Sequence, residues 1–306
     1  MDKKTPILFL VFNRPEPTAE VFEAIRSYKP ERLYVAADGA RKHKAGEEAI
    51  CEETRAIALA VDWPCEVKTL LREENLGCKH AVSSAINWFF EEEEQGIILE
   101  DDCVPHSSFF DYCTRLLDQY KEDERVMHIA GSNHHPDYTE EARESYYFSY
   151  YGHMWGWASW RRAWANYDLE MEQFEEVMKG RYLEKVMGSL QGKYLGRKLK
   201  EIYYEGTDTW DYQWDYSRLL KKGLTIIPKN NLVNNIGFGE DATHTFSSNN
   251  EFSHVPVKEL EFPMVHPSQV ARNKKADQYH FLQLLRWIFK RKIYAKIGIK
   301  GYDNRG

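Results

Sequence analysis

The sequence has few of the residues and motifs that mark disulfide-rich, zinc-binding or phosphate-loop proteins. Its 306 residues contain five cysteines, an odd number with no CxxC pair, and no histidine stands at zinc-ligand spacing. We therefore expect neither a disulfide framework nor a zinc site, and we expect a reducing compartment. Neither GxGxxG nor a P-loop motif (GxxxxGK followed by Ser or Thr) occurs, which argues against both classes of nucleotide loop.

Long apolar runs are also missing. No stretch approaches the roughly 18 consecutive apolar residues that a membrane-spanning helix needs. Met1 to Thr5 lead straight into a strand-like pattern, which leaves no room for a secretory signal. Together with the cysteine count, these observations predict a cytoplasmic protein.

Charge is unevenly distributed along the chain, and a stretch near its C-terminus lacks acids. The net charge is −7, yet residues 280–300 carry six cations and no acid. An acidic body argues against nucleic acid as a partner. In the tail, residues 271–306, the cations interleave with Leu, Ile, Phe and Trp, as in a helix at the surface of an anionic membrane. A C-terminal helix packed on the core with a basic outer face is the alternative.

Strand-like and helix-like patterns alternate through the first 100 residues. The predicted strands are residues 6–12, 32–37, 66–71 and 96–99, and the predicted helices are residues 16–28, 47–61 and 80–90. This alternation predicts an α/β fold with a mostly parallel central sheet, right-handed crossovers and flanking helices.

Polar residues stand where these predicted strands end. Ligands of such sheets bind outside the carboxyl ends of the strands, so we expect these residues to share one crevice. A crevice with two arginines and several acids suits a nucleoside diphosphate held through a cation. The residues concerned are Asn13, Arg14, Asp38, Arg72 and the acids at 100–102.

The most distinctive of these strand ends is the triplet Glu100, Asp101 and Asp102, which follows a buried apolar run. Adjacent carboxylates repel one another unless a cation lies between them, so the triplet predicts a divalent metal site with oxygen ligands, Mn²⁺ or Mg²⁺. A solvated acidic turn is the alternative.

The second half of the chain is rich in tryptophan. Predicted strands at 126–130 and 146–151 precede four Trp within ten residues, a density that suits neither a helix nor a solvated loop. We expect Trp155 and Trp157 to form a platform for a sugar ring. An aromatic core where two sheets meet is the alternative, and it is preferred for Trp160 and Trp164.

Taken in order, four segments resemble the nucleotide-sugar-binding half of GT-A glycosyltransferases. They are VFNR at 11–14, ADG at 37–39, REENLG at 72–77 and ILEDD at 98–102, followed by SFF at 108–110. The resemblance is closest to the inverting, metal-dependent N-acetylglucosaminyltransferase I type and to similar bacterial sugar transferases. It covers approximately residues 5–245.

The resemblance implies a GT-A fold with a nucleotide-sugar half at 1–125, an acceptor and catalytic half at 126–270, and a smaller acceptor-side sheet. By this resemblance, Asp38 of this chain would hold the uracil and ribose, Arg14 the donor phosphates, and Asp102 the metal. Asp101 and Glu100 would lie near the ribose and the donor sugar. Alternatively, Asp38 only makes a turn and Arg14 is a surface residue.

A predicted helix after residue 209 carries the candidate base. With Thr209 or Asp208 as its cap, Asp211 falls in the first turn, where backbone N–H groups keep a carboxylate ionised. The resemblance assigns to such a Trp-Asp pair the base that deprotonates the acceptor hydroxyl, and Asp215 is the fallback. Helix-dipole capping by both acids is the alternative.

Residues 231–245 contain glycines, acids and His244 without periodicity, which predicts a flexible loop over bound ligand. His244 is a further candidate metal ligand or phosphate donor. Residues 168–200 have helical spacing and are expected to be scaffold.

Together with these features, the resemblance implies a metal-dependent inverting glycosyltransferase, a hexosyl- or N-acetylhexosaminyl-transferase that uses a nucleotide-sugar donor, UDP-linked by expectation. The tail favours a glycan or lipid-linked glycan acceptor at the inner face of the cell membrane, in bacterial surface glycan synthesis. Two other classes stay open: a metal-dependent phosphoester or glycoside hydrolase, and a carbohydrate-binding protein without turnover.

Overall fold

The structure is a computed structural model that describes residues 4–237 and 255–296. The strands are β1 (Ile7–Val11), β2 (Arg32–Ala37), β3 (Glu66–Leu71), β4 (Gln95–Glu100), β5 (Cys103–Pro105), β6 (Val126–Ala130), β7 (Tyr146–Ser149), β8 (Trp157–Trp160), β9 (Leu224–Pro228) and β10 (Val233–Asn235). The helices are α1 (Pro15–Tyr28), α2 (Glu47–Ala58), α3 (Gly77–Glu92), α4 (Ser107–Gln119), α5 (Pro136–Thr139), α6 (Arg161–Trp164), α7 (Phe174–Lys179), α8 (Tyr182–Met187), α9 (Ser189–Glu205), α10 (Asp211–Leu220) and α11 (Lys274–Lys296).

The described residues form a mixed α/β fold around one large sheet. Eight strands lie in the order β3-β2-β1-β4-β8-β6-β9-β7, and β3, β2, β1 and β4 are mutually parallel. β1 and β4 occupy the centre of the sheet, where Ile7–Phe9 and Ile97–Leu99 are fully buried. Their continuous apolar runs suit parallel strands that are covered on both faces. The predicted fold class, with its mostly parallel sheet and flanking helices, is confirmed.

β8 is a strand of the large sheet that the sequence did not predict. It runs antiparallel between β4 and β6, pairing Trp157 with Ile98 on one side and with Ala130 on the other. The strand therefore joins the parallel half of the sheet to β6, β9 and β7.

The position of β8 corrects the role predicted for Trp157. Its side chain is fully buried, and its ring stacks on Trp210 with centroids 5.7 Å apart and lies 4.9 Å from the ring of His128. A buried ring offers no face to a sugar, so Trp157 belongs to the aromatic core, as Trp160 and Trp164 do. Trp155, in contrast, is partly exposed.

This difference in burial predicts a difference in stability. Trp157→Ala should lower the free energy of unfolding by about 3 kcal/mol, because it opens a cavity inside the aromatic core. Trp155→Ala should cost less than half as much, since that ring is partly solvated already. Urea unfolding of both variants would measure the two losses, and equal losses would contradict this assignment.

A second, smaller sheet is present, as predicted. β10 pairs antiparallel with β5, setting Val233 opposite Pro105 and Asn235 opposite Cys103. Because β5 directly follows the acid triplet, this pairing places Asn235 beside Asp102, and the Asn235 side chain donates a hydrogen bond to Asp102 Oδ1 at 3.3 Å.

The first turns of α11 pack on the body of the protein. Asp277 is 1 % exposed, accepts hydrogen bonds from Ser149 and Tyr150, and pairs with Arg272 at 2.5 Å. Phe281 is also buried. Within residues 4–237 and 255–296, no helix combines the length and apolar character needed to span a bilayer.

Three histidines, His134, His153 and His280, pack together in a cluster where α11 meets the body of the protein, and the ring of His135 lies 5.1 Å from that of His280. The rings of His134 and His153 stack 3.9 Å apart, and His280 lies 5.5 Å from His153. Burial lowers the pKa of His153 to about 4 and the pKa of His134 and of His280 well below the ordinary value.

The histidine cluster predicts a pH-dependent contribution to stability. In the unfolded chain each histidine binds a proton near pH 6.5, whereas in the folded cluster it does not. Each histidine should therefore lower the free energy of unfolding by about 1 kcal/mol as the pH falls from 7.5 to 5.5. His280→Phe keeps a flat ring but cannot bind a proton. In this variant, the loss of unfolding free energy between pH 7.5 and pH 5.5 should be about 1 kcal/mol smaller than in wild type. Comparing the variant with wild type isolates the contribution of His280, because the acids titrate alike in both. If unfolding free energy depended on pH equally in the two proteins, the prediction would be wrong.

Candidate functional site

A cleft of about 860 Å³ lies at the carboxyl ends of β1, β2 and β4. The first turns of α3, the last turns of α9 and the start of α10 complete its walls. Most of the predicted site residues line it together, although their chemical roles stay predictions. They are Arg14, Asp38, Arg72, Glu100, Asp101, Asp102, Trp155 and Asp211.

The acid triplet lies on the floor of the cleft with one cation beside it. The guanidinium of Arg14 forms ion pairs with Asp101 and with Asp102, the latter at 2.9 Å between Nη1 and Oδ2. Asp101 also accepts a hydrogen bond from the backbone of Phe12 at 3.1 Å. Two acids at the end of β4 therefore hold Arg14 in place, and its contact with donor phosphates stays a prediction.

One guanidinium does not neutralise three carboxylates. Desolvation at the strand end and repulsion by Asp102 and Asp101 raise the pKa of Glu100 to about 8. Burial, partly offset by Arg14, raises the pKa of Asp101 to about 6. Burial is the main cause of both shifts and repulsion within the triplet adds to it, so a further cation nearby would lower both pKa values.

The acid triplet supplies carboxylate oxygens, the kind of ligand that hard divalent cations bind. Gly237 lies against Asp102, where a Cβ would stand 2.0 Å from the Oδ2 that pairs with Arg14, so a side chain at 237 would disturb this ion pair. Across the described ranges, no three His, Cys, Asp or Glu side chains surround a common point. Mg²⁺ and similar ions commonly take one or two carboxylates and complete their shell with phosphate and water oxygens. Asp102 is the residue here that would hold such an ion.

Asp38 organises the loop before α3. Its carboxylate accepts hydrogen bonds from the backbone N–H groups of Gly39, Leu76 and Gly77 at 3.0–3.1 Å and from the Asn75 side chain at 2.9 Å. Glycine is required at 39, since a Cβ there would lie 2.4 Å from the Glu74 carbonyl carbon. These hydrogen bonds support the alternative that Asp38 stabilises a turn. A contact between Asp38 and a nucleotide stays a prediction.

Asp208 caps α3, which corrects its predicted role at the start of α10. Its carboxylate oxygens accept hydrogen bonds from the backbone of Cys78 at 2.9 Å and of Lys79 at 2.7 Å. The segment before α10 is thereby tied to the N-terminus of α3. Two aspartates, 38 and 208, thus hold the N-terminus of α3, so its amides are not available to a phosphate.

Asp211 begins α10 and faces the cleft. Its Oδ1 accepts hydrogen bonds from the hydroxyl of Thr209 and from the backbone of Tyr212 at 2.9 Å. Among the described residues, none donates a hydrogen bond to Oδ2. The side chain is therefore fixed through one oxygen and presents the other.

The structure does not support Asp215, the fallback base, in that role. It forms an ion pair with Arg218, whose side chain is fully buried, and it does not line the cleft. Its carboxylate compensates a buried charge, which is a structural task.

Asn13 is also placed differently from the prediction. Its amide donates to Glu47 at 3.0 Å and does not line the cleft. Arg41 lines the cleft instead, held by Glu47 with Nε 2.9 Å from Oε2 and lying 5.3 Å from the Phe12 ring. Its position after Asp38-Gly39, with an acid at the start of the next helix, was the available signal.

The far wall comes from α9, most of which falls in the range 168–200 that was predicted to be scaffold. Lys198 and Glu201 line the cleft and pair with each other at 3.0 Å. Arg72 lines the opposite side and donates to Ser84 at 2.7 Å. His244 lies outside the described residues.

No protein-family model matches this chain, and no curated protein matches it. Among solved structures, HddC from Yersinia pseudotuberculosis is 12% identical with a TM-score of 0.28, over 41% of this chain and 56% of HddC. The same protein complexed with GMP-PN gives 13% identity, the same coverage and the same TM-score. UDP-glucose pyrophosphorylase complexed with UDP-glucose is 12% identical with a TM-score of 0.26, over 42% of this chain and 63% of that enzyme. The matched region thus spans only part of those proteins, and similarity this weak establishes neither fold nor function, so the site is interpreted from its own geometry.

Proposed function

We propose that this protein is a metal-dependent inverting glycosyltransferase of GT-A type. It would move a hexosyl or N-acetylhexosaminyl group from a nucleoside diphosphate, UDP by expectation, to a hydroxyl of a glycan acceptor. The observation that carries the proposal is that one cleft holds an acid triplet, three arginines and, separately, a fixed carboxylate at a helix start.

The nucleotide end of the cleft is suited to a diphosphate. Arg14, Arg41 and Arg72 line it and supply guanidinium groups, which bind phosphate oxygens in a planar geometry. A Mn²⁺ or Mg²⁺ ion held at Asp102 would supply positive charge for the leaving diphosphate. Arg14, already fixed by Asp101 and Asp102, would stabilise the same charge without reorganising.

The acceptor end is suited to removing a proton. Asp211 would accept the proton of the acceptor hydroxyl at Oδ2 while that oxygen forms a bond to the anomeric carbon from the face opposite the diphosphate. The bond from that carbon to the phosphate oxygen breaks, and the nucleoside diphosphate leaves with the electron pair. Trp155 lines the same cleft and offers a partly exposed ring to a sugar.

Calorimetry with UDP and with GDP, each with and without Mn²⁺, tests the nucleotide half of this proposal. We expect UDP to bind much more tightly when Mn²⁺ is present. A proton NMR assay with UDP-sugars and a panel of glycans then tests transfer, and inversion predicts a product of opposite anomeric configuration to the donor.

Each alternative class gives a different result in these assays. A hydrolase would release free sugar with water as the sole acceptor. A carbohydrate-binding protein would bind glycans without regard to Mn²⁺ or UDP. Retention of anomeric configuration would overturn the assignment of Asp211 as the base of an inverting reaction.

A further inference from the structure

Beyond its first turns, α11 presents an apolar stripe to solvent. Four side chains along it are exposed: Leu282 by 55%, Leu285 by 37%, Phe289 by 68% and Ile293 by 41%. At 3.6 residues per turn, these four positions fall within about 80° of one another around the helix axis. They form one continuous stripe, which we call the α11 stripe.

Cations flank the α11 stripe on both sides. Arg286 and Lys290 fall on one side of it and Lys292 on the other, each within about 80° of Leu282 around the axis. All three are exposed. After Asp277, the helix contains no acid. Long cationic side chains beside an apolar face can keep their charges in the headgroup region while the apolar side chains enter the lipid.

The helix that carries the stripe is anchored at its base. The buried Asp277 forms an ion pair with the partly buried Arg272, Phe281 is buried, and its ring lies 5.8 Å from the ring of Tyr194 in α9. The stripe therefore starts one residue after a fixed point, and binding through it would not have to order a loose segment first.

We propose that the α11 stripe docks this protein on the surface of an anionic lipid bilayer. A second copy of the chain fits this surface less well, because two helices meeting along their stripes would bring together like charges that no α11 acid pairs. Anionic headgroups pair with these flanking cations, and the lipid acyl chains accept Leu282 and Phe289. This inference does not rest on the proposed sugar transfer.

Sedimentation of the full chain with vesicles tests the docking. We expect binding to vesicles of equal parts phosphatidylcholine and phosphatidylglycerol to exceed binding to phosphatidylcholine alone by at least about tenfold, and to weaken in high salt. The double variant Leu282→Asp, Phe289→Asp should lose this binding. Both side chains are exposed, and circular dichroism would verify that the variant is folded.

The matched control is Leu190→Asp, which makes the same change at a leucine that is 72% exposed on α9. This variant should bind vesicles as wild type does. The proposal is overturned if wild type ignores anionic vesicles, if the double variant binds them normally, or if light scattering shows a dimer that the double variant abolishes while vesicle binding is absent.

Discussion

Replacing Asp211 with Asn should lower kcat by about 10³- to 10⁴-fold while leaving the affinity for UDP and Mn²⁺ nearly unchanged, as expected for loss of a general base. An amide has the shape of the carboxylate, and its oxygen can still accept the hydrogen bonds from Thr209 and Tyr212. It cannot take the proton of an acceptor hydroxyl at neutral pH. Steady-state kinetics with a UDP-sugar, beside calorimetry for the nucleotide, would measure both quantities.

Asp215→Asn is the matched control, one turn along the same helix. Because Asp215 pairs with the buried Arg218, this change should lower the free energy of unfolding and spare most of kcat in the molecules that remain folded. If Asp215→Asn abolished turnover and Asp211→Asn did not, the base would be Asp215 and the assignment would be wrong.

Asp102→Asn should remove the dependence of UDP binding on Mn²⁺ and lower kcat/KM by about 10³-fold. The reason is that a neutral amide is a poor ligand for a divalent cation, whereas the charge of the leaving diphosphate must still be stabilised. Calorimetry of UDP with and without Mn²⁺ would show similar affinities in the variant and a large difference in wild type.

The control for Asp102→Asn is Asp118→Asn, the same chemical change at an exposed position of α4. It should leave binding and turnover as they are in wild type. Binding of UDP that still rises with Mn²⁺ in Asp102→Asn would mean that the cation is held elsewhere, and the proposed roles of the triplet would have to be abandoned.

The parallel half of the fold was predictable because its signals are local. Each strand is an apolar run that ends in polar residues, and each crossover helix lies between two such runs, so the strand ends meet at one edge whatever the details of packing. Asp38, Asp102 and Arg14 reach the same cleft for this reason. Asn13 was misplaced because its direction depends on Glu47, a partner 34 positions away.

In the other half, β6 and β7 were predicted, whereas β8 was not, because its contacts are distant in sequence. β8 has only four residues, and its partners in β4 and β6 lie in separate parts of the chain, so no local pattern marks it as a strand. Its tryptophans suit a binding platform and a core equally well until the neighbouring rings are known. Asp208 likewise caps a helix some 130 residues earlier, which helix-start rules for α10 could not reveal.

The place of β8 in the sheet has a consequence for how the chain matures. As the polypeptide leaves the ribosome, β1 to β4 can assemble from the first 100 residues, but the outer edge of β4 has no strand to pair with until Trp157–Trp160 has been made. An unpaired, apolar edge invites pairing with other nascent chains. We therefore expect fragments that end before residue 157 to aggregate. Once it has been synthesised, β8 pairs with this edge of β4 and prevents other chains from pairing there.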